Sequence, residues 1–233
     1  MSIFAISDLH LSLGTNKPMD IFRGWENYTK KIVANWERIV AQQDIVIIPG
    51  DTSWATKLEE TEKDFLFLDK LPGKKILLKG NHDYWWGTTA KISQFLEKNN
   101  FKTISILHND AYFFDGVSIC GTRGWLYDGT AQSDEKIILR ECGRLETSIK
   151  KGIELGGELV VFLHYPPVYG EFLCEEIFQI IKKYQIKHIF YGHIHGAGFN
   201  KSLPEYDGVK LHLVSCDCID FTPILVDHYI KNK

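Results

Sequence analysis

Residues 75–83 read Lys-Ile-Leu-Leu-Lys-Gly-Asn-His-Asp, a short apolar run that passes directly into metal-binding residue types. The run Lys75–Lys79 predicts a buried β-strand, and the glycine and asparagine that follow it predict a turn. In open α/β sheets, ligands bind beyond the carboxyl ends of the strands. We therefore expect the segment Gly80–Asp83 to lie at a ligand site.

Four further strand-like runs end in the same way. They are followed by the segments Asp8-Leu9-His10, Gly50-Asp51, His164 and Gly192-His193-Ile194-His195. Each segment alone is also compatible with an ordinary turn or a hydrogen-bonded structural histidine, but five of them in order favour one shared site. Asp8 and His10 are two residues apart, as are His193 and His195, so extended backbone would direct each pair to one side.

The apolar period changes along the chain in the manner of an α/β fold. Steps of three and four from Ile21 to Ile39 predict a first helix, and similar patterns predict helices over 58–68, 89–96 and 138–149. Strand–helix–strand alternation implies right-handed crossovers and a largely parallel sheet. Asp115-Gly116 predicts a hairpin, and strand-like patterns return over 209–215 and 223–226. The sequence thus predicts two sheets, one with parallel crossovers and one rich in hairpins, in a single domain over residues 1–233.

Composition and charge narrow the functional classes. In 233 residues, 27 Lys and Arg oppose 30 Asp and Glu, so no positive surplus draws the whole chain to nucleic acid or to an anionic membrane. The apolar runs are too short to span a bilayer, and the N-terminus lacks the basic region and cleavage site of a secretory signal. Five scattered cysteines favour reduced thiols. We expect a soluble protein of the cytoplasm.

The strand ends together supply a set of candidate metal ligands: Asp8, His10, Asp51, Asn81, His164, His193 and His195. Carboxylate, amide and imidazole donors without a thiolate suit Mn, Fe or Zn ions. Seven protein ligands are too many for one ion but suit two divalent metal ions, and the two oxygens of Asp51 make it the candidate bridge. Two such ions, two carboxylates and one hydroxide leave about one net positive charge, which suits a phosphate group.

These motifs resemble the signature of the calcineurin-like metallophosphoesterase superfamily: Asp-x-His, Gly-Asp, Gly-Asn-His-Asp/Glu, a single His, and Gly-His-x-His. All five segments occur in order between Asp8 and His195. The sequence is most similar to the small single-domain prokaryotic phosphohydrolases of the superfamily. The resemblance implies a four-layer α/β/β/α sandwich with two mixed β-sheets and a dinuclear metal site at the sheet edges.

The resemblance also implies a role for each residue of the site. One ion would be held by Asp8, His10, Asp51 and His195, and the other by Asp51, Asn81, His164 and His193. His82 would lie beside the leaving group as a proton donor or charge stabiliser. In the protein phosphatase branch, an Asp three residues after the bridging Asp orients the catalytic His, and here Trp54 occupies that position. This departure leaves the orienting partner of His82 open and disfavours a protein phosphatase.

Other residues leave two interpretations open. Arg123 is either a bidentate phosphate clamp or an exposed loop arginine, and the loop Leu11–Asp20 is either a substrate rim or a plain connection. Four tryptophans either wall the site or pack in the core: Trp54, Trp85, Trp86 and Trp125.

Cys216-Asp217-Cys218 has no second pair at zinc-like spacing, which favours ordinary strand cysteines. The histidines outside the motifs are expected to be structural or at the surface: His108, His188, His212 and His228.

The leading hypothesis is a metal-dependent hydrolase of phosphate mono- or diesters. A water that bridges the two ions, its pKa lowered toward ~7, would attack phosphorus in line while His82 assists the leaving group and Arg123 helps to neutralise phosphoryl oxygens. The expected substrate is a small phosphate ester, nucleotides included, because the chain lacks the basic surplus of a processive nuclease. A metal-dependent nuclease and a non-catalytic scaffold are the alternatives, and the complete ligand set counts against the scaffold.

Overall fold

The computed structural model describes residues 1–125 and 131–231 and contains two large β-sheets. The strands of the first sheet are β1 (Ile3–Ala5), β2 (Ile45–Pro49), β3 (Lys74–Leu78), β4 (Ile104–Ile106) and β13 (Ile224–Leu225). Their order is β13-β1-β2-β3-β4. Strands β1 to β4 run parallel, and β13 is antiparallel to β1 at the edge. The short apolar runs of the sequence thus form the parallel sheet that their spacing predicts.

The second sheet is also mostly parallel, which differs from the hairpin-rich sheet that the sequence predicts. Its strands are β5 (Tyr112–Phe114), β6 (Val117–Thr122), β7 (Glu158–Leu163), β10 (His188–Tyr191), β11 (Glu205–Tyr206) and β12 (Val209–Leu213), in the order β11-β12-β10-β7-β6-β5. The four central strands are parallel, and hairpins form only the two edges. A turn signal such as Asp115-Gly116 is local, so it identifies an edge hairpin without revealing the sheet that the hairpin joins. A small separate hairpin pairs β8 (Val168–Tyr169) with β9 (Phe172–Leu173).

Helices cover the outer faces of both sheets. They are α1 (Tyr28–Ile39), α2 (Glu62–Lys70), α3 (Thr89–Lys98), α4 (Ala131–Leu155) and α5 (Glu175–Lys183). A short further helix, α6 (Val226–Lys231), instead buries Val226 and Ile230 in the layer between the sheets. Side chains alternate along each strand: Val46 and Ile48 of β2 pack with α1 to α3, whereas Ile45 and Ile47 pack in a layer shared with the second sheet. On the far side, α4 and α5 pack on the second sheet. The layers follow the predicted α/β/β/α order.

The first helix begins later than the apolar spacing predicts. Met19–Ile21 form a 3₁₀ turn, and Ile21 is exposed. Asn27, just before α1, has a left-handed backbone with φ of 55°, which a right-handed helix cannot continue through. Residues 19–27 therefore form a loop although their apolar residues keep a helical spacing. The second predicted helix likewise starts as a 3₁₀ turn, Leu58–Thr61, before α2.

Backbone hydrogen bonds join the two sheets at their carboxyl ends. Ser7, just after β1, pairs in parallel with Ser215, just after β12. Ser7 N donates to Val214 O at 2.8 Å, and Cys216 N donates to Ser7 O at 2.9 Å. The sequence predicts that Cys216 and Cys218 lie within a strand. In the structure both lie in the turn after β12. The loops that carry the candidate ligands therefore leave both sheets along one shared edge.

Helix length and polarity bear on membrane contact. In the described ranges 1–125 and 131–231, no helix is both long enough and apolar enough to cross a membrane. The longest helix, α4, carries charged residues such as Glu141 and Arg144 along its length. A cytoplasmic location and a single domain over the whole chain stay predictions of the sequence.

The layer between the sheets provides a test of the fold. Phe162 on β7 is fully buried and stacks on Phe190 of β10 with 5.3 Å between ring centroids. Phe162→Ala removes a ring from a close-packed layer, so we expect the free energy of unfolding to fall by ~3–5 kcal/mol. Urea denaturation monitored by circular dichroism measures this loss.

The matched control is Phe113→Ala on the edge strand β5, where the side chain is 43% exposed. A surface substitution of this kind changes the free energy of unfolding by only about 0.5 kcal/mol. Equal losses in the two variants would contradict the placement of Phe162 between the sheets.

Candidate metal centre

The first cluster of potential ligands combines a carboxylate with two imidazoles. Ligand atoms of Asp8, His10 and His195 lie within 4.8 Å of one another. The Nε2 atoms of His10 and His195 are 3.4 Å apart, and Asp8 Oδ1 lies 3.4 Å from His195 Nε2. Asp8 and His10 follow β1 of the first sheet, whereas His195 follows β10 of the second. The cluster therefore exists only because the two sheets meet.

The second cluster of potential ligands lies beside the first. Ligand atoms of Asp51, His164 and His193 also lie within 4.8 Å of one another. Asn81 Oδ1 is 2.6 Å from His164 Nε2 and 2.9 Å from His193 Nδ1. Asp51 Oδ2 lies 3.5 Å from His164 Nε2 and 3.9 Å from His10 Nε2, between the clusters. The structure thus brings together all seven candidate ligands of the sequence analysis.

Hydrogen bonds made by their Nδ1 atoms fix the ring orientation of two of the histidines. His164 Nδ1 lies 3.1 Å from Pro49 O, and His195 Nδ1 lies 2.8 Å from Asp217 Oδ1. Because a carbonyl or carboxylate oxygen accepts a hydrogen bond, each Nδ1 carries a proton, and Nε2 is the atom that each ring can offer to a metal ion once it is free of its own proton. This arrangement is typical of metal-ligating histidines.

Three of the imidazoles are held neutral. Burial lowers the pKa of His10 and of His164 to about 3, and that of His193 to about 4. Nearby Asp8 opposes these shifts but does not outweigh the loss of solvation. Neutral imidazole is the form that binds metals, so these rings are ready as ligands at neutral pH.

The carboxylates and His195 compete for protons. Burial acts to raise the pKa of Asp8, but contacts with His195, His164 and His10 outweigh it and hold the pKa well below its usual value. Burial, followed by the charges of Asp8 and Asp83, raises the pKa of Asp51. Burial opposes a charge on His195, but Asp217 and Asp8 raise its pKa to about 10. A cation would displace this proton, so metal affinity should increase with pH.

The residues present fit divalent ions. Ligand bonds of ~2.0–2.2 Å place neighbouring ligand atoms roughly 3.0–3.5 Å apart, and the atom pairs of both clusters are 2.6 to 3.9 Å apart. Asp8 and Asp51 are buried, and neither forms an ion pair with a lysine or arginine in the described part of the chain. Buried carboxylates require a compensating cation, and metal ions at the clusters would supply it.

The backbone at the centre differs from the extended conformation that the sequence analysis assumes. Asp8, His10, Asp51 and His193 have positive φ values of 59°, 45°, 50° and 71°. Left-handed backbone of this kind is uncommon outside glycine and concentrates at functional sites. As a result His193 and His195, two residues apart, belong to different clusters, whereas Asp8 and His10 share one.

Two motif glycines are required by close approach. A Cβ atom on Gly192 would collide with the Asp8 carboxylate and Ser7 Oγ, and one on Gly80 would collide with Asp51. The backbone N of His193, just after Gly192, lies 3.0 Å from both oxygens of Asp8, and Ser215 Oγ donates to Asp8 Oδ2 at 3.0 Å. The absence of a side chain at these two glycines therefore lets the neighbouring loops approach the carboxylates of Asp8 and Asp51 closely.

His82 lies at the edge of the clusters beside Trp54. Its backbone N donates to Asp51 Oδ1 at 2.8 Å, and its ring centroid lies 4.4 Å from that of Trp54. Trp54 also stacks on His10 at 4.7 Å. His82 Nδ1 is buried without a hydrogen-bond partner among the described residues. The sequence left the orienting partner of His82 open. In the structure the indole ring of Trp54 packs against the His82 imidazole.

Arg123 lies away from this arrangement. Its guanidinium is 3.9 Å from the buried carboxylate of Glu141 on α4, and Arg144 binds the same carboxylate at 2.6 Å. Arg123 also lies over the Trp125 ring, 4.8 Å from its centroid. Only its backbone approaches the centre, where Arg123 O accepts from His164 N. The structure therefore does not bring the side chain of Arg123 to the candidate ligands.

A cavity of about 490 Å³ opens above the two clusters. Candidate ligands, His82 and Asp217 form its floor, and its wall consists of Met19, Phe22, Arg23, Trp25 and Trp54. Of this wall, only Met19 belongs to the loop Leu11–Asp20 that the sequence suggests as a substrate rim. Trp54 is one of the tryptophans that the sequence suggests as wall or core residues. Phe22, Arg23 and Trp25 could be found only from the path of the loop before α1, which apolar spacing misassigns to a helix.

Asp217 is a site residue that the sequence analysis sets aside with its neighbouring cysteines. It accepts from His195 Nδ1 at 2.8 Å and from Gly196 N at 3.2 Å. The available signal was its position, because it follows β12 at the carboxyl edge where the other site residues lie.

The remaining aromatic and histidine candidates lie outside the clusters. Trp85 is buried in the core, and Trp86 packs partly against the same core. His188 Nδ1 lies 3.1 Å from His212 Nε2, and the two rings stack on the second sheet. His212 also packs against Phe190. These contacts agree with the structural roles that the sequence analysis expects.

Comparison with known proteins gives a match over most of the chain. A family model described as calcineurin-like phosphoesterase matches residues 1–197. The uncharacterized protein MJ1445 of Methanocaldococcus jannaschii is 29% identical over 127 residues, which cover 51% of this chain and 67% of that protein.

Solved structures share the fold at low sequence identity. The protein of unknown function AQ665 from Aquifex aeolicus aligns with a TM-score of 0.52 and 18% identity over 99% of this chain and 98% of that one. TT1561 of Thermus thermophilus aligns with a TM-score of 0.54 and 15% identity over 96% of both chains. The phosphopantetheinyl hydrolase of Mycobacterium tuberculosis aligns with a TM-score of 0.50 and 17% identity, over 92% of this chain and 88% of that one. At these identities the similarity shows the fold alone.

The contact between His195 and Asp217 can be tested directly. Asp217→Asn removes the charge that holds the His195 ring, so we expect metal affinity to fall about 10- to 100-fold. Titration of the metal-free protein with Mn²⁺, followed by calorimetry, measures the change. The control is Asp220→Asn, an exposed residue three positions away whose left-handed backbone (φ of 48°) asparagine tolerates. Unchanged affinity in Asp217→Asn would contradict the positioning role of Asp217.

Proposed function

The chain belongs to the calcineurin-like phosphoesterase family, and on this premise we propose that it hydrolyses phosphate mono- or diesters of small molecules with two divalent metal ions. The observation that carries the proposal is the convergence of seven carboxylate, amide and imidazole donors in two adjacent clusters. A scaffold without catalysis has no evident use for two buried carboxylates that form no ion pair with a lysine or arginine in the described part of the chain. The ions best suited to these donors are Mn, Fe and Zn.

Each cluster would hold one ion. The first ion would be bound by Asp8, His10, Asp51 and His195, and the second by Asp51, Asn81, His164 and His193. Bound ions of this kind lower the pKa of a coordinated water toward ~7 and neutralise phosphoryl oxygens. Asp51 is the proposed bridge, which its Oδ2 position between His10 and His164 supports.

His82, which also lies on the floor of the cavity, acts on the leaving group of the substrate. The imidazole of His82 lines the cavity beside the clusters, where it can donate a hydrogen bond or a proton to the departing oxygen. Burial lowers the pKa of His82, so near neutral pH the ring is mostly in its neutral form, which keeps one N–H to donate to the departing oxygen. Packing against Trp54 restricts the ring in place of a carboxylate partner. The apolar wall excludes water from the reacting groups.

The proposal that Asp51 bridges the two ions can be tested by substitution. Asp51→Asn keeps the shape and the acceptor for His82 N, but it removes the charge that both ions share. We expect kcat at saturating Mn²⁺ to fall by ~10²-fold or more, which corresponds to ~3 kcal/mol of lost stabilisation. Steady-state hydrolysis of nitrophenyl phosphate and of bis-nitrophenyl phosphate measures both ester classes.

The comparison variant is Arg123→Ala, which should retain most of its activity because its guanidinium faces Glu141 rather than the clusters. Near-native turnover in Asp51→Asn would show that the bridge is assigned to the wrong residue. A wild-type protein that binds metal and yet hydrolyses no phosphate ester would refute the proposed function itself.

The role of His82 depends on the leaving group. A poor alkoxide needs protonation in the transition state, for which general-acid assistance is worth ~10²–10⁴-fold, whereas a nitrophenolate needs little. We therefore expect His82→Ala to reduce turnover of alkyl phosphates far more than turnover of nitrophenyl phosphate, with metal content unchanged. A pair of kcat measurements on metal-replete protein decides the matter. Equal losses on both substrates would leave His82 with a packing role only.

A further inference from the structure

The cavity above the candidate centre has more room than a phosphoryl group requires. Its volume of about 490 Å³ lies within the ~300–1,000 Å³ of sites that enclose drug-sized ligands. The proposed reaction uses only the floor, where the two clusters and His82 lie. The wall therefore faces the part of the substrate that is not the phosphate.

Most of the wall is aromatic, and two of its rings are held firmly. Trp25 is only 6% exposed and packs against Tyr28 and Phe221 with centroids 5.4 and 5.3 Å apart. Trp54 stacks on His10, and its Nε1 lies 3.2 Å from Met19 Sδ. Fixed aromatic faces bind flat apolar groups by stacking and edge contacts at little entropic cost. The wall therefore favours a ring over a flexible polar chain.

The rim of the cavity is also apolar, although it is exposed. Phe22 lines the cavity and is 52% exposed, and its neighbour Ile21 is 75% exposed. Adjacent exposed apolar residues at a cavity mouth are typical of a ligand-binding surface. A ring held beside the phosphate would cover Phe22 and remove this apolar surface from water.

One cation stands within this apolar wall. Arg23 lines the cavity, and within 4.0 Å it forms no ion pair with the described residues, although backbone hydrogen bonds and, to a smaller extent, the charge of Arg23 lower the pKa of the exposed Glu26. Arg123, in contrast, is paired with Glu141 away from the cavity. Guanidinium groups bind carboxylates and phosphates with directed hydrogen bonds. Arg23 is thus placed to meet a negative group of the substrate at the rim, at a distance from the phosphate on the floor.

We infer that the substrate is a phosphate ester that carries an aromatic or heteroaromatic group next to the scissile phosphate and a further anionic group beyond it. The ring lies against Phe22 and Trp54, and the anionic group binds Arg23. This inference rests on the proposed function and specifies its substrate class, which includes nucleotides that carry a second phosphate at a position away from the scissile one. It assigns recognition to Phe22 and Arg23, neither of which is a candidate metal ligand.

Binding of matched phosphonates tests the aromatic subsite without requiring turnover. Phenylpropyl phosphonate and pentyl phosphonate share a three-carbon chain and differ only in the group at its end, a phenyl ring or an ethyl group, so calorimetry on the Mn²⁺-loaded protein compares a ring with a short alkyl end. We expect the phenyl compound to bind more tightly to the wild type. Phe22→Ala should weaken its binding about threefold to tenfold and leave the pentyl compound unchanged.

Control variants separate recognition from general damage. Phe22→Tyr keeps a ring and should preserve the preference, and Phe113→Ala removes an exposed ring from the edge strand β5 and should have no effect. Equal binding of the two phosphonates to the wild type, or equal weakening of both by Phe22→Ala, would overturn the inference. Unchanged binding of both phosphonates to Phe22→Ala would overturn it as well, and this is the result expected if Ile21 and Phe22 instead dock a protein partner.

A third phosphonate tests Arg23. A carboxylate on the phenyl ring of phenylpropyl phosphonate should tighten binding to the wild type, and Arg23→Gln should remove about fivefold of that gain. Arg38→Gln, an exposed arginine in the last turn of α1, is the matched control. An unchanged gain in Arg23→Gln would overturn the anionic part of the inference. Hydrolysis of phenethyl and butyl phosphates, measured in parallel, tests the proposed function separately, since its failure would leave the binding preferences intact.

Discussion

The carboxylate of Asp8 is the point on which the whole arrangement depends. It follows β1 of the first sheet, yet its hydrogen-bond donors, His193 N and Ser215 Oγ, belong to loops of the second. It is fully buried, so the loss of either set of contacts would leave an unsatisfied charge in the interior. The parallel bridge between Ser7 and Ser215 fixes the same junction through the backbone. The contacts that join the two sheets are thus the same contacts that position the candidate centre.

This junction explains why the ligand loops adopt unfavourable backbone conformations. Left-handed residues such as Asp51 and His193 each cost of order 1–3 kcal/mol, and they persist only where the surrounding structure determines them. Strand β2, which ends just before Gly50 and Asp51, is buried along its whole length, with one face against the helices and the other against the second sheet. Rigid strands on both sides therefore hold the loops in positions that a free peptide would avoid. Metal ions bound between the clusters would stabilise the same conformation.

Sequence reasoning predicted the fold class and brought all candidate ligands to one sheet edge, because both follow from where apolar runs end. It failed where the decisive contact is distant in sequence. The parallel order of the second sheet depends on pairing between strands such as β6 and β7, which local turn signals do not encode. Asp217 becomes recognisable only once His195 lies beside it. For Arg123 the sequence left a phosphate clamp and a loop arginine open, because the pairing with the buried Glu141 of α4 forms only in the folded chain.

The two parts of the cavity differ in how freely they can change. Trp25 and Trp54 contact the rings of candidate ligands as well as the cavity, with centroids 5.9 Å from His195 and 4.7 Å from His10. A change in either indole would therefore disturb the centre together with the wall. Phe22 and Arg23 are exposed and lie within residues 19–27, the part of the connection between β1 and α1 that carries no candidate ligand. Selectivity for the organic part of a substrate can accordingly be set at this rim without altering the geometry that the sheets impose on the centre.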